Sequence, residues 1–132
     1  MKYGFIKVAA AVPAVRVADV EYNVQEIEKL IALADSEGVE LLCFPELSLT
    51  GYTCQDLFKE KLLLDKSEAG LLRLLDFTRQ LDIVCVVGLP VQAGGLLLNC
   101  AAVIQSGALL GVVSKSAERS TPCESSSPAR LE

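Results

Sequence analysis

Two charged residues, Glu46 and Lys115, stand where apolar segments of the chain end. The first segment, 40–44, predicts a short buried strand, and Pro45 ends it, so that Glu46 leaves the strand at its carboxyl end. Ligands collect at that end of strands in open α/β sheets, and a carboxylate held there by a rigid strand is placed for general-base catalysis. A lone Pro-Glu pair by itself favours the simpler interpretation, a surface glutamate in a turn.

Lys115 follows the apolar run 111–114, which carries no other charge. A cation at the end of a strand can stabilise a developing oxyanion, and electrostatic stabilisation of this kind is often the largest single contribution to catalysis. Spacing alone favours the simpler interpretation, a solvated lysine at the point where a strand leaves the core.

Composition excludes several classes of function. The 132 residues allow one domain with a sizeable core. The net charge of −5, without a basic stripe, argues against a nucleic-acid partner. The chain has no histidine, which excludes Ser-His-Asp and Cys-His catalysis and histidine-based zinc sites, and no metal site is predicted. Acid–base chemistry must therefore use carboxylates, lysine, tyrosine or cysteine.

The cysteines indicate a reduced, cytoplasmic setting. Five of them, at positions 43, 54, 85, 100 and 123, form an odd set without CxxC spacing, and three lie in apolar runs where cysteine behaves as a small hydrophobe: Cys43, Cys85 and Cys100. The apolar N-terminal stretch is interrupted by Lys7 and Pro13 and is too short to span a bilayer, so neither a membrane segment nor a signal peptide is expected.

Hydrophobic periodicity predicts a two-layer α/β unit. A strand over 5–12, a helix capped by Asp19 and ended by Gly38, and a strand over 40–44 form a strand–helix–strand opening, whose strands should be parallel neighbours. Two helical segments are predicted next: one or two turns over 56–64, and a helix from a Ser67 cap to about Leu81. A strand over 83–87 follows and is ended by Gly88 and Pro90. After a Gly94-Gly95 turn, the segments 97–105 and 109–113 form a hairpin across Ser106-Gly107.

The segment 44–58 carries a family resemblance. Its residues, Phe-Pro-Glu-Leu-Ser-Leu-Thr-Gly-Tyr-Thr-Cys-Gln-Asp-Leu-Phe, resemble the glutamate motif of the nitrilase (carbon–nitrogen hydrolase) superfamily. The Gly-Tyr-Thr-Cys-x-Asp-Leu-Phe form is similar to the glutaminase domain of glutamine-dependent NAD synthetases. The resemblance runs from the first strand through Lys115 and implies a partial domain over 1–115, the first half of the nitrilase α-β-β-α sandwich.

The resemblance also implies roles for individual residues. Glu46 and Lys115, the latter within Gly-x-x-x-Lys, match the first two members of a Glu-Lys-Cys triad. The implied reaction is acyl transfer, in which a cysteine thiolate attacks the side-chain amide of glutamine and ammonia leaves. Tyr52 matches a tyrosine that lines the glutamine pocket, although a half-buried aromatic that covers the core fits it equally well.

The third member of the triad has no match. In the family the nucleophilic cysteine follows a further strand, whereas residues 116–132 lack apolar periodicity and are rich in serine, which predicts a disordered or non-native tail. Cys123 has no strand before it, and Cys54 belongs to the structural part of the glutamate motif. The expected explanation is that the reading frame or the expressed segment departs from the parent just after Lys115, which leaves the chain with little or no hydrolase activity.

The resemblance therefore implies part of a glutaminase that supplies ammonia for the amidation of deamido-NAD. ATP and Mg²⁺ would act in a synthetase domain outside these residues, and no cofactor is expected within them. An uncovered apolar sheet face would promote self-association, which makes a homo-oligomer the expected state. The alternatives are another nitrilase-type amidase, a non-catalytic structural or oligomerising fragment and, more weakly, a flavodoxin-like binding module. That last alternative lacks a glycine-rich phosphate loop after the first strand.

Overall fold

A computed structural model of the chain describes residues 4–51 and 61–115, which form a five-stranded mixed sheet and two helices. In chain order the elements are β1 (Val8–Ala10), α1 (Val20–Ser36), β2 (Leu41–Cys43), α2 (Lys61–Phe77), β3 (Val84–Ala93), β4 (Leu96–Gln105) and β5 (Ala108–Ser114). The strands lie side by side in their sequence order. β1, β2 and β3 are parallel, and β4 and β5 continue the sheet in antiparallel pairs.

The first strand–helix–strand unit confirms the sequence prediction. The Asp19 side chain accepts a hydrogen bond from the backbone amide of Tyr22 at 3.1 Å, which caps α1. Gly38 follows the end of α1 with φ at 81°, a left-handed conformation that glycine adopts readily. The helix buries one stripe of side chains against the sheet, namely Val20, Val24, Ile27 and Ile31.

The core lies between the two helices and one face of the sheet. The register pairs Cys85 with Ile104 and Val87 with Ala102, so these side chains share the face that packs against α1 and α2. The opposite face, called here the open face, carries a second set of side chains, including Val8, Cys43, Val86, Ala101 and Val113. None of these belongs to the core cluster formed with the helices, so neither α1 nor α2 covers the open face.

The prediction that Ser67 caps the second helix is wrong. Ser67 lies inside α2 on its buried stripe, with Leu63 one turn before it and Gly70 one turn after it. A side-chain Cβ at Gly70 would lie 2.8 Å from a methyl group of Val20, so small residues on this stripe allow α2 to approach α1 closely. Packing against α1 thus overrides the local capping preference of serine.

The prediction that Gly88 and Pro90 end the third strand is also wrong, because β3 continues to Ala93. β2 pairs with β3 only as far as Val86, and the nitrogen of Pro90 faces this side of β3, beyond the end of β2. Because no strand is paired there, the proline costs no hydrogen bond between strands. The register with β4 continues without interruption through this region.

Smaller differences concern the edges of the predicted elements. β1 is limited to three residues, whereas 5–12 was predicted. Cys43 is exposed on the open face, although Cys85 and Cys100 are buried as predicted. The Ser106-Gly107 hairpin is confirmed, and both of its central residues have positive φ. Within the described part of the chain, neither helix is long and apolar enough to cross a bilayer. The predicted tail, 116–132, lies outside the described residues.

Candidate active site

Glu46 is carried by a tight turn directly after β2. The backbone amides of Thr50 and Gly51 both donate to the carbonyl of Leu47, at 3.2 and 2.8 Å. Leu47 adopts a positive φ of 54°, an uncommon conformation for leucine that the surrounding contacts must hold in place. The side chains of Leu47 and Leu49 point into the protein and are buried, while Glu46 projects to the surface.

Strand β3 holds this turn from one side. The amide of Gly88 donates to the hydroxyl of Ser48 at 3.0 Å, and the amide of Leu49 donates to the carbonyl of Gly88 at 3.0 Å. The turn thus takes the place of β2 beside β3 once β2 has ended. A Cβ on Gly88 would lie 2.3 Å from the backbone nitrogen of Leu47, so the approach requires glycine at this position.

Helix α1 holds the same turn from the other side through a buried amide. Asn23 is fully buried, and its Nδ2 donates to the carbonyls of Arg16, at 2.8 Å, and of Leu49, at 2.9 Å. Its Oδ1 accepts from the amide of Arg16 at 2.7 Å. Sequence reasoning missed Asn23. The available signal was a polar residue within the otherwise apolar helical stripe that Val20 and Val24 belong to.

Lys115 reaches the same place from the far edge of the sheet. It follows β5 directly, and its backbone amide donates to the carbonyl of Asn99 at 2.8 Å, which extends the β4–β5 ladder by one bond. Its Nζ lies 3.5 Å from Oε2 of Glu46. The Lys115 and Glu46 side chains are 60% and 47% exposed. The structure therefore brings together the two charged residues that the sequence analysis singled out.

A third side chain completes this group. Nδ2 of Asn99, on β4, donates a short hydrogen bond to Oε2 of Glu46, the same oxygen that faces Lys115. Sequence reasoning did not identify Asn99. The only local signal was that Asn99 is the one polar residue in the apolar run 96–104. The sequence alone does not indicate that its side chain faces Glu46.

The three side chains border an open cavity of about 250 Å³ at this end of the sheet. Its other walls are mostly apolar and include Phe44, Pro45, Val86, Gly88, Ala101 and Val113. A carboxylate, a cation and an amide above an apolar floor can accept a proton and stabilise negative charge on a small polar ligand. In the described part of the chain, no cluster of three or more His, Cys, Asp or Glu residues could hold a metal ion.

The predicted pocket residue Tyr52 lies outside the described residues, as do Cys54 and Cys123. Of the described cysteines, Cys85 is buried in the core, and burial raises the pKa of its thiol to about 12. Burial also raises the pKa of the Cys100 thiol. Neither of these two thiols is readily ionised near neutral pH, and no described cysteine forms a hydrogen bond with Glu46.

Comparison with known proteins places this geometry in a family. The carbon-nitrogen hydrolase family profile matches residues 7–130, which includes both Glu46 and Lys115. The chain belongs to the carbon–nitrogen hydrolase family. This carbon–nitrogen hydrolase chain is 36% identical over 115 residues to the glutamine-dependent NAD(+) synthetase of Mycobacterium tuberculosis H37Rv, a match that covers 87% of the chain. It is 38% identical over 99 residues to that of Aquifex aeolicus, covering 75% of the chain.

Solved structures show the same fold. A glutamine-dependent NAD(+) synthetase from Cytophaga hutchinsonii superposes with a TM-score of 0.75 at 30% identity, covering 83% of this chain and 19% of that one. A mutant amidase from Nesterenkonia sp. AN1, in complex with butyramide, has a TM-score of 0.74 at 22% identity, covering 88% of this chain and 45% of that one. The mixed sheet with its two helices thus corresponds to part of the nitrilase-type fold.

The carbon–nitrogen hydrolase chain spans only a small part of its relatives. It covers 17% of the length of the Mycobacterium tuberculosis and Aquifex aeolicus synthetases. The family profile, over residues 7–130, includes positions 46 and 115.

Proposed function

We propose that the chain forms part of the glutamine amidohydrolase domain of a glutamine-dependent NAD synthetase. The observation that carries the proposal is the approach of Lys115 to Glu46, 3.5 Å between Nζ and Oε2, at the carboxyl end of β2. The two residues are far apart in the sequence, at positions 46 and 115, and meet at the cavity. The similarity to NAD synthetases across 87% of the chain supports the choice of substrate class.

In the proposed reaction Glu46 acts as the general base for a cysteine thiol that the described residues do not supply. The thiolate adds to the side-chain amide carbon of glutamine, and Lys115 stabilises the negative charge on the amide oxygen. Glu46 then passes the proton to the departing nitrogen, so that the C–N bond breaks and ammonia leaves. Water hydrolyses the thioester and releases glutamate. Tyr52 is proposed to border the glutamine pocket.

The ammonia would be used by an ATP-dependent synthetase part of the longer protein, which amidates deamido-NAD. ATP and Mg²⁺ belong to that part, and the proposed domain itself needs no cofactor. One similar structure, the synthetase of Acinetobacter baumannii, is a complex with ADP and covers 89% of this chain, which supports a nucleotide site in the longer protein.

The proposed setting is the reduced cytoplasm, with glutamine as ligand and self-association of the chain. Self-association is supported by the open face, where Val8 and Val113 remain exposed and no described helix covers them. An exposed, largely apolar sheet face of this kind favours association with another surface.

The experiment that tests the proposal measures ammonia release from glutamine. The full coding frame that contains this chain is expressed, and Glu46→Gln and Lys115→Met are compared with the unmodified protein. Each variant should lose about a hundredfold or more in kcat, the typical contribution of a general base or an oxyanion cation. The control variants Glu26→Gln and Lys29→Met alter an exposed ion pair of 3.0 Å on α1 and should retain activity.

A second candidate is another nitrilase-type amidase, favoured by the shared fold with the Nesterenkonia enzyme. Turnover of a small aliphatic amide such as butyramide, without turnover of glutamine, would establish it. A protein that hydrolyses neither amide would instead be a structural or oligomerising member of the family, and the catalytic roles of Glu46 and Lys115 would be withdrawn.

A further inference from the structure

The side chain and the backbone of Asn99 contact the two charged residues of the site separately. Nδ2 of Asn99 donates to Oε2 of Glu46, and the carbonyl of Asn99 accepts from the backbone amide of Lys115 at 2.8 Å. We propose that Asn99 is the positioning residue of the site: it holds the Glu46 carboxylate against Lys115 and leaves only Oε1 to receive a proton. The inference rests on the proposed function.

The ion pair alone does not fix this geometry. Glu46 and Lys115 are 47% and 60% exposed, and a pair with that exposure gains little from its Coulomb attraction and samples many side-chain conformations. A hydrogen bond to a charged acceptor is directional and stronger than one between neutral groups. The Glu46 carboxylate therefore gains one preferred orientation from the amide that it does not gain from the lysine.

Asn99 is itself held firmly in the sheet. Its strand, β4, pairs with β3 on one side and with β5 on the other, and Asn99 lies opposite Pro90 in the β3 register. A short side chain on a doubly paired strand has few conformations to lose when it binds the carboxylate. Lys115, by contrast, reaches Glu46 through a long flexible chain at the end of an edge strand.

The arrangement assigns different tasks to the two oxygens of Glu46. Oε2 faces both Asn99 and Lys115, whereas Oε1 accepts no hydrogen bond from any residue in 4–51 and 61–115. A base must keep a lone pair accessible to the proton that it takes. Oε1, which has no such partner among the described residues, is therefore the oxygen that receives the proton, and Asn99 determines where it points.

A zero-length carbodiimide crosslink tests the positioning directly, because it joins a carboxylate to an amine only when the two are in contact. In the unmodified chain, peptide mapping by mass spectrometry should find Glu46 joined to Lys115. The Glu26–Lys29 pair, 3.0 Å apart on α1, provides an internal standard within the same molecules. The measured quantity is the yield of the Glu46–Lys115 crosslink divided by the yield of the Glu26–Lys29 crosslink.

Asn99→Ala should lower this ratio about fivefold, since the remaining pair loses its directional bond. Asn99→Asp has the same shape but cannot donate and repels the Glu46 carboxylate, so it should lower the Glu46–Lys115 crosslink at least as much. The matched control is Gln105→Ala, which removes another side-chain amide of β4, one that donates to the carbonyl of Asp82 at 2.8 Å, away from the site. It should leave the ratio unchanged.

An unchanged ratio in Asn99→Ala, with folding confirmed by thermal unfolding, would overturn the inference. So would an unchanged Glu46–Lys115 crosslink in Asn99→Asp, because shape rather than donation would then be sufficient. The crosslink involves no substrate, so its result is independent of glutamine turnover. A protein that fails to hydrolyse glutamine but passes the crosslink test refutes the proposed function alone.

Discussion

The backbone amide of Gly88 lies 3.0 Å from the hydroxyl oxygen of Ser48, forty positions earlier in the chain. This hydrogen bond and the one from the Leu49 amide to the Gly88 carbonyl join the turn after Glu46 to the edge of β3. The turn thereby acts as a continuation of β2. The Glu46 backbone is consequently held on this side by β3, a strand that contributes no charged side chain to the site.

The close contact between Gly88 and the turn predicts that adding a single methyl group at position 88 destabilises the fold. In Gly88→Ala the new Cβ would meet the backbone nitrogen of Leu47 at 2.3 Å and the carbonyl oxygen of Pro45 at 2.9 Å, so the turn must move away from β3. The free energy of unfolding, measured in urea, should fall by about 1–3 kcal/mol, the usual cost of overpacking. The Glu46–Lys115 crosslink should fall with it.

The matched control is Gly111→Ala. Gly111 is also a strand glycine, in β5, but a Cβ there meets nothing within 4 Å. The substitution should be neutral or slightly stabilising, because alanine restricts the unfolded chain more than glycine does. Equal effects of the two substitutions on unfolding would show that close approach of the turn is not what requires glycine at position 88.

Local patterns were sufficient to predict α1, the presence of a second helix and most strands, and to single out two charged residues that the structure brings close together. Periodicity located α1, and two charges at the ends of apolar runs indicated Glu46 and Lys115. The contacts that fix the site depend instead on register. Strand pairing determines which face of the sheet Asn99 occupies. It also places Pro90 beyond the point where β2 stops pairing with β3. No single segment of the sequence encodes this pairing.

The Ser67 error has the same origin. Serine before an apolar run is a common helix start, but the preference is worth only about 1 kcal/mol and gives way to packing. Here Ser67 and Gly70 are small residues on the buried stripe of α2, and the absence of a Cβ at Gly70 lets α1 come close. A pattern read along one helix does not reveal how closely a second helix approaches it.

The open face provides a prediction about assembly. If the chain associates through this face, Val113→Asp should weaken the association, because Val113 is 63% exposed there and a charge would have to be desolvated in the contact. Sedimentation velocity across a concentration series measures the effect. The control is Leu72→Asp on α2, with a leucine that is 59% exposed on the helical side of the sheet.

The two variants can also have the opposite effects on association. Dissociation by Leu72→Asp, with Val113→Asp unaffected, would place the contact on the helices and would contradict association through the open face. A chain that is monomeric at every concentration would refute the proposed self-association altogether.

The buried thiol of Cys85 predicts a fall of stability in alkaline solution. Burial, with a smaller contribution from the Asp35 carboxylate, raises the pKa of this thiol from 9.0 to about 12. Above pH 9.0 the unfolded chain releases the proton while the folded chain retains it, so unfolding becomes more favourable as the pH rises. The stabilisation is complete below pH 9.0 and is lost progressively towards pH 12.

The measurement is the free energy of urea unfolding at several pH values from 8 to 11. In Cys85→Ala the decline with pH should be shallower, by at most about 1.4 kcal/mol per pH unit, even though the variant is less stable at every pH because of the lost methylene-sized volume. The control is Val87→Ala, which removes a buried side chain of the same strand that carries no titratable group. If the free energy of unfolding of the unmodified chain and of Cys85→Ala fell in parallel with pH, the prediction would be wrong. The Cys85 thiol would then ionise as easily in the folded protein as in the unfolded chain, which requires water to reach the core beneath β3.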